Sequence, residues 1–231
     1  MTLLLWEAIR MAKNKREEVV AIAKKYHGYS ERDGSYRKII DRYNNHKPLA
    51  QGYKVSYYDA WCATFVSAVM IEAGMTDIAP TECSCPRMVK LYQAMGRWVE
   101  ADDYTPEIGD IVLYDWQDNG AGDNKGNPDH IGIITKVANG VMTIIEGNMD
   151  NEVGYRALKV NGKFIRGYCC PDYDSKGKTE DAIDVTIRNA VIDVDLNKPE
   201  LWEDILRGKK TATAANVKSL MDKYHEAVMK K

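Results

Sequence analysis

The chain has 231 residues, 45% of them hydrophobic, and a formal net charge of −2 at pH 7. This is enough for one ordinary globular domain plus a small additional region. The balanced charge argues against a nucleic-acid partner and gives no polybasic membrane signal. No apolar run approaches the length of a membrane span, and the apolar residues 3–6 are too few for a signal-peptide core, so no export signal is visible.

The first elements are predicted to be helices. Apolar residues recur at helical spacing over residues 11–27, and Gly28 is a suitable end for this helix. Residues 1–11 are interpreted as an extension of the helix or as an optional leader. A second short helix is predicted over residues 36–43, followed by a polar turn that contains His46. His46 competes for the role of a catalytic histidine, but a surface position is the preferred interpretation.

The stretch 59–74 places a cysteine directly before an apolar run. The run has one stripe at helical spacing, closed by Gly74 and formed by Phe65, Val66, Val69, Met70 and Ala73. Cys62 should therefore lie at the start of a helix, where unpaired N–H groups and the helix dipole stabilise a thiolate. The alternative is a small, buried, unreactive cysteine.

Downstream, the period of the sequence changes from helical to alternating. A further helix is predicted over residues 88–95, and a turn at 106–110 leads into strands that include two hairpins. The strands are predicted at residues 111–114, 130–137, 141–146, 155–160 and 164–168. Helices first and an antiparallel meander later indicate an α+β fold, with N-terminal helices packed on an antiparallel sheet.

Two groups of residues raise the question of a metal. The loop at residues 118–129 is rich in Asp, Asn and Gly and could hold Ca²⁺, but it does not match the EF-hand ligand order, and turn chemistry is preferred. Cys83, Cys85, Cys169 and Cys170 could bind zinc, but they lack the usual C-x-x-C spacing. Reduced structural thiols are the preferred interpretation, and no metal ligands are assigned.

Three features combine into a catalytic constellation. Cys62 is expected at a helix start, His130 at a strand start, and Glu146 and Asn148 at the end of the adjacent strand. By role, this set is a cysteine acyl-transfer triad. His130 would take the thiol proton and later protonate the leaving amine, while Glu146 or Asn148 would orient the imidazole.

This constellation requires a particular register in the first hairpin. A two-residue turn at Asn139 and Gly140 would turn Glu146 and Asn148 away from His130. A three-residue turn with a bulge at Gly140 pairs residue 137 with 141, which puts His130 opposite Asn148 and Glu146 diagonally near it. The chemistry therefore predicts the bulged turn.

The C-terminal quarter is predicted to be separate from this catalytic region. The catalytic domain is expected over residues 1–173, and residues 174–196 form a polar linker with a strand-like stretch. Residues 197–231 contain two helices, capped by Asn197 and Thr213. Cell-wall targeting and self-association through these helices are the functional interpretations of this tail, and an inert helical cap is the alternative.

At the residues of the catalytic constellation, the chain resembles the CHAP (cysteine, histidine-dependent amidohydrolase/peptidase) domain of phage endolysins and bacterial cell-wall hydrolases. The resemblance covers about residues 12–173 and rests on motifs in the family's order: DAWCATFVS at 59–67, TECS at 81–84, PEIGDIV at 106–112, DHIGII at 129–134 and IEGN at 145–148. It implies a papain-like fold with Cys62 as nucleophile, His130 as base, and Glu146 and Asn148 as orienting residues.

The resemblance also implies a function. It implies a bacteriolytic peptidoglycan hydrolase, phage- or prophage-encoded, that cleaves an amide bond as an N-acetylmuramoyl-L-alanine amidase or as a stem or cross-bridge endopeptidase. Some members bind Ca²⁺ through Asp residues before the nucleophile, but residues 52–58 contain none, so no cofactor is expected. Asp59 is a weaker site candidate, and Trp61 and Trp116 either line a substrate groove or belong to the core.

The expected partner is bacterial peptidoglycan, with neither nucleic acid nor membrane. An endolysin without a signal peptide would accumulate in the cytoplasm of the host bacterium and reach the wall on release, and secreted use is the alternative. Two other functions stay open. One is a wall-binding module without catalysis, and the other is a cysteine peptidase that acts on ordinary proteins.

Overall fold

The structure is a computed structural model that describes residues 3–121, 123–174, 182–194, 196 and 198–229. The chain divides into two compact units, Met1–Lys178 and Thr179–Lys231. The first unit contains every residue that the sequence assigned to the catalytic constellation. Its boundary lies close to the predicted end of the catalytic domain at residue 173.

The helices of the first unit come mostly before its sheet. They are α1 (Leu3–Lys25), α2 (Arg37–Asn45), α3 (Cys62–Glu72) and α4 (Cys85–Ala94), with a short 3-10 turn at Ala50–Gly52. Residues 3–10 continue α1, as the first of the two interpretations expected. The last of these helices begins earlier than predicted because Pro86 occupies its first turn, where a missing N–H costs no hydrogen bond.

The strands form one antiparallel sheet. They are β1 (Trp98–Val99), β2 (Ile111–Tyr114), β3 (His130–Ala138), β4 (Val141–Met149), β5 (Glu152–Lys159) and β6 (Ile165–Cys169). Their order across the sheet is β1-β6-β2-β3-β4-β5. The predicted α+β class, with N-terminal helices packed on an antiparallel sheet, is confirmed. The two-residue strand β1 was not predicted, since it is too short to show a period.

Helix α3 is more deeply buried than its sequence pattern suggests. It packs against α1, α2, β3 and β4, and each of its residues from Cys62 to Met70 is buried. The predicted apolar stripe is therefore only part of the buried surface. A helix that is apolar on all sides belongs in the middle of a core, with neighbours on several faces.

The prediction of a three-residue turn between β3 and β4 is wrong. Ala138 pairs with Val141, so the turn has two residues, Asn139 and Gly140. Both have positive φ, 53° and 71°. This is the type I′ geometry that favours the Asn-Gly sequence, because its twist matches that of the flanking strands.

The register that the chemistry requires is nevertheless present, because β3 has a bulge further from the turn. The pairing shifts between Ile134 and Lys136, with Thr135 as the extra residue, and from there Ile133 faces Ile145. The Thr135 hydroxyl donates a hydrogen bond to the Thr143 carbonyl at 3.0 Å, which satisfies a backbone acceptor at the irregularity.

The second unit consists of helices in its described residues. They are α5 (Ala182–Val194), α6 (Pro199–Leu206) and α7 (Ala214–Met229), and α5 packs against both of the others. The predicted linker strand in 174–196 is wrong, because this stretch contains α5. Its apolar residues also fit a helical spacing, with Ile183, Ile187, Val191 and Val194 on one side.

The predicted caps of the last two helices have different outcomes. The Thr213 hydroxyl accepts a hydrogen bond from the Asn216 backbone N–H at 3.2 Å, which confirms the cap of α7. The predicted cap Asn197 lies outside the described residues.

None of the described helices combines the length and the apolar character that a membrane crossing requires.

Candidate active site

Cys62 is the first residue of α3, as predicted. The helix starts after Trp61, whose carbonyl accepts the first helical hydrogen bond from Phe65 N–H at 2.9 Å. The backbone N–H groups of this first turn have no helical partner, so they and the helix dipole favour a negative charge at its start. The sulfur of Cys62 is thus in a position that suits a thiolate.

A glycine in the IEGN motif lets α3 lie close against the sheet. A Cβ on Gly147 would come within 2.4 Å of the Cβ of Phe65 and within 2.9 Å of the Trp61 ring. Both distances are shorter than van der Waals contact, so a larger residue would push α3 away from β4. Gly147 therefore helps to fix the distance between the start of α3 and the end of β4.

His130 begins β3 and is held by a carboxylate. Its Nε2 lies 2.9 Å from Oε2 of Glu146. The Cys62 thiol lies close enough to this imidazole for the two groups to shift each other's pKa. Because Nε2 is held by Glu146, Nδ1 is the nitrogen left for Cys62. The structure thus brings Cys62, His130 and Glu146 together, with a hydrogen bond between His130 and Glu146 and the thiol near the imidazole.

Glu146 has no exposed surface, and its carboxylate has three partners. Besides His130, it accepts a hydrogen bond from the Tyr114 hydroxyl at 2.9 Å and from Arg156 Nε at 2.9 and 3.1 Å. A buried carboxylate is stable only when paired and hydrogen-bonded. Tyr114 and Arg156 supply this pairing and fix the carboxylate toward the imidazole.

Room for the Glu146 side chain comes from a second glycine. A Cβ on Gly132 would lie 2.7 Å from Cγ of Glu146 and 2.5 Å from a methyl group of Ile144. The bulge at Thr135 places Gly132 across from Glu146 in the continued register of β3 and β4. The glycines of the DHIGII and IEGN motifs thus allow two close approaches that the site requires.

The electrostatics favour an ion pair between the thiol and the imidazole. A hydrogen bond from Cys85 is the largest influence on Cys62 and, with the bond and charge of His130, holds the pKa of Cys62 well below its usual value despite burial. Burial by itself lowers the pKa of His130, but the hydrogen bonds and charges of Cys62 and Glu146 outweigh it and raise this pKa to about 9. A thiolate beside an imidazolium is the reactive state of a cysteine nucleophile.

The site lies within a segment that matches a known family. Residues 52–148 match the model of the CHAP domain. This segment, less than half of the chain, is therefore similar to the CHAP domain. The matched residues include Cys62, His130 and Glu146 but not Arg156, which follows on β5. No match was found among curated proteins.

Two solved structures were found to be similar. One is the crystal structure of Ly7917 with the hydrolysing product of MDP, and the other is the crystal structure of Ly7917. Both are 16% identical to this chain, with TM-scores of 0.40 and 0.37. The matches cover 68% of this chain and 62% of the other, so the chain spans less than two thirds of the protein it matches.

Asn148, the second orienting candidate, is not placed like Glu146. The pairing of β4 with β5 is irregular between Glu146 and Met149, and Asn148 has a left-handed backbone with φ of 57°. The alternation of side chains along β4 is therefore interrupted at Asn148. Among the described residues, no hydrogen bond joins its side chain to His130, whereas Glu146 makes one directly.

The three weaker candidates have different surroundings. Asp59 accepts hydrogen bonds from the Tyr53 hydroxyl and from Ser56 N–H, both at 2.7 Å, so it orders the loop before Cys62. Trp61 is fully buried and donates to Glu31 at 2.9 Å, which is the core position that the sequence left open and does not suit a groove wall. Trp116 is partly exposed, stacks on Tyr114 and lies beside the site.

Three residues of the candidate site were missed by sequence reasoning. Tyr114 ends β2 and pairs directly with His130, Arg156 lies on β5, and Cys85 begins α4 with its sulfur 3.7 Å from that of Cys62. The one available signal was Tyr114, a polar-tipped aromatic at the end of an otherwise aliphatic strand.

The rival histidine, His46, follows α2 and has no contact with Cys62 among the described residues.

The Asp-rich loop uses its carboxylates for turns. Asp118 accepts hydrogen bonds from the backbone N–H groups of Gly120 and Phe164, both at 2.7 Å, and Asp129 accepts one from Trp116 N–H at 2.9 Å. This is the turn chemistry that the sequence favoured. Across residues 11–121, 123–174 and the described part of the second unit, no cluster of three or more His, Cys, Asp or Glu side chains could hold a metal ion.

Proposed function

We propose that the protein is a peptidoglycan hydrolase that cleaves an amide bond with Cys62 as its nucleophile. The observation that carries this proposal is the position of Cys62 beside His130, whose Nε2 is held by the buried Glu146 at 2.9 Å. The match of residues 52–148 to the CHAP domain supports it, because the resemblance to this domain of cell-wall hydrolases implies the same class of reaction.

The reaction follows from the positions of these groups. The Cys62 thiolate attacks the amide carbonyl carbon, and the backbone N–H of Cys62 at the start of α3 is placed to donate to the developing oxyanion. The imidazolium of His130 gives its proton to the leaving amine, and an acyl-enzyme remains on the sulfur. His130 then takes a proton from water, which attacks the acyl carbon and releases the free thiolate.

Glu146 is proposed to keep His130 in the required tautomer and orientation. Its bond to Nε2 leaves Nδ1 facing the thiol, and its negative charge stabilises the imidazolium. Tyr114 and Arg156 act on the reaction through Glu146, so we assign them as positioning residues. Trp116 is the aromatic side chain that we propose to contact substrate, because it is partly exposed and lies 6.3 Å from the His130 ring centre.

The direct test is digestion of purified insoluble peptidoglycan by the reduced protein. We expect soluble fragments with newly freed amino groups, and mass spectrometry of these fragments identifies the bond as a muramoyl-alanine amide or a peptide bond of the stem or cross-bridge. Cys62→Ala should release no fragments. Cys83→Ala is the matched control, since the Cys83 thiol interacts with Tyr43 and Glu82 instead of with the site, and it should retain activity.

Several results would contradict the proposal. Fragment release by Cys62→Ala would show that another group is the nucleophile. Binding to walls without released fragments would instead support a non-catalytic wall-binding module. Cleavage of a denatured protein but not of walls would support an ordinary cysteine peptidase.

A further inference from the structure

A second thiol lies beside the proposed nucleophile. The Sγ atoms of Cys62 and Cys85 are 3.7 Å apart, and both residues are 7% exposed. The amide cleavage described above requires only one sulfur. The described residues place the sulfur of Cys83 beside Tyr43 and that of Cys170 beside the Tyr104 hydroxyl.

The two sulfurs are held together by the contacts between their helices. Cys62 begins α3 and Cys85 begins α4. Within α3, the Ser67 hydroxyl donates to the Glu82 carbonyl at 2.6 Å and accepts from the Glu82 N–H at 2.8 Å. The Glu82 carboxylate accepts the N–H groups of Cys83 and Ser84 just before Cys85. The TECS motif therefore fixes the start of α4 against α3.

We propose that Cys62 and Cys85 form a reversible disulfide when the protein meets hydrogen peroxide or a related peroxide. A disulfide has an S–S length of about 2.05 Å, so the sulfurs must approach by about 1.7 Å from their present separation. Rotation of two short side chains at adjacent helix starts accounts for a movement of this size. The loop that the bond closes runs from residue 62 to residue 85.

The chemistry proceeds in two balanced steps. The Cys62 thiolate attacks one peroxide oxygen, an S–O bond forms, the O–O bond breaks, and hydroxide leaves to become water on protonation. Cys85 then loses its proton and attacks the sulfenic sulfur of Cys62, an S–S bond forms, the S–O bond breaks, and a second water results. The two thiols lose two electrons and two protons in total, and one peroxide is reduced to two waters.

The charges of the pair suit this order of steps. The pKa of Cys62 is held well below its usual value, so Cys62 reacts first, while the adjacent Cys62 thiolate and burial raise the pKa of Cys85 well above its usual value. Conversion of Cys62 to the neutral sulfenic acid removes the negative charge that holds the proton on Cys85. His130, whose charge acts on Cys62, can give its proton to the leaving hydroxide in the first step and then, as a neutral imidazole, take the proton of Cys85.

The functional consequence rests on the proposed function. If Cys62 is the nucleophile, the disulfide removes its thiolate and stops amide cleavage, and a thiol reductant restores it. The disulfide would also prevent oxidation of Cys62 beyond sulfenic acid, which thiol reductants do not reverse.

The test uses the full chain, reduced and then exposed to hydrogen peroxide. We expect a peptide map without reductant to contain the Cys62 and Cys85 peptides joined, with the loss of two hydrogens. Wall digestion should fall at least tenfold and return on treatment with dithiothreitol. Oxidation of Cys62 to sulfinic acid with no joined peptide would overturn the proposal, and this readout requires no variant and no activity.

Two variants sharpen the test, each compared with its own reduced activity. Cys85→Ser should lose activity in peroxide without recovery, and its Cys62 should carry two added oxygens. Cys83→Ser, the matched control, should recover like the wild type. Recovery of Cys85→Ser equal to the wild type would overturn the proposal. A joined peptide with unchanged wall digestion would support the disulfide and instead refute Cys62 as the nucleophile.

Discussion

Cys62 and Cys169 are both buried cysteines of the first unit, 7% and 0% exposed, yet their pKa values move in opposite directions. The pKa of Cys62 lies well below its usual value, and that of Cys169 lies well above it. Burial opposes the charged form in both places. The burial of a cysteine therefore does not decide whether it can act as a nucleophile.

The difference arises from the groups around each sulfur. Cys62 begins a helix, has the Cys85 sulfur 3.7 Å away, and is further stabilised as a thiolate by its interaction with His130. Cys169 ends β6, where burial is the largest influence and the charges of Cys170 and Asp110 raise its pKa further. A sulfur among donors and a positive charge becomes a thiolate, whereas one among acceptors and negative charges stays protonated.

The largest expected effect of the pKa difference between Cys62 and Cys169 is a difference in their rates of alkylation. With iodoacetamide near neutral pH, we expect Cys62 to be modified at least about a thousandfold faster than Cys169, since each pKa unit changes the thiolate fraction tenfold. Peptide mass spectrometry of the native, reduced protein measures both rates. The urea-unfolded chain is the control, and there the two rates should become similar. Equal rates in the folded protein would refute the assignment of a Cys62 thiolate.

The next effect concerns the group that sustains the imidazolium beside Cys62. Glu146→Gln keeps the shape of the side chain but removes its charge, so wall digestion should fall by about 10²–10⁴-fold. In the wild type, activity should decline as pH rises through about 9, where His130 loses its proton. Because Glu146 raises this pKa, the variant should begin its decline at lower pH.

The matched control for this substitution is another buried carboxylate. Asp110 is also fully buried and bound, to Arg16 at 2.8 Å and Tyr104 at 2.6 Å, but it lies in the turn before β2. Asp110→Asn should lower the melting temperature without changing the pH at which activity declines on the alkaline side, here called the alkaline limb. An alkaline limb unchanged in Glu146→Gln would show that Glu146 does not set the protonation of His130.

A smaller effect is expected one step further from the sulfur. Tyr114→Phe removes one of the hydrogen bonds to Glu146 but leaves Arg156 in place. A hydrogen bond to a charged group contributes about 1.5–3 kcal/mol, so wall digestion should fall by about 10- to 100-fold. In Glu146→Gln, the same substitution should have little further effect. If Tyr114→Phe lowered the activity of Glu146→Gln as much as it lowers that of the wild type, Tyr114 would not act through Glu146.

Tyr92→Phe is the matched control for this tyrosine. Tyr92 is also fully buried, and its hydroxyl has no hydrogen-bond partner among the described residues. Its removal should therefore change neither activity nor the alkaline limb. A loss of activity like that of Tyr114→Phe would attribute the effect to core packing.

Much of the site could be predicted because its residues lie in local patterns. The helix start at Cys62 and the strand start at His130 follow from changes in hydrophobic period. The approach of Glu146 to His130 was predicted from the register that the chemistry requires. The reason given for that register was wrong, because the extra residue is Thr135 and not a residue of the turn.

The rest depends on contacts between distant parts of the chain. Cys85 reaches Cys62 through the packing of α3 and α4, and Arg156 reaches Glu146 across β4 and β5. Neither approach leaves a periodic signal in the sequence. In α5, the β-branched residues suggested a strand, but their spacing also fits a helix, and packing against α6 and α7 favours the helix.

The smallest effect should distinguish the two orienting candidates of the IEGN motif. Asn148→Gly removes the side chain but suits the left-handed backbone at this position, so strain does not confuse the result. We expect wall digestion to stay within about threefold of the wild type, as for substitutions away from a functional contact. The alkaline limb near pH 9 should also be unchanged, because Glu146 alone holds Nε2 of His130. A loss as large as that of Glu146→Gln would instead make Asn148 the residue that orients His130 and so keeps Cys62, unlike Cys169, as a thiolate.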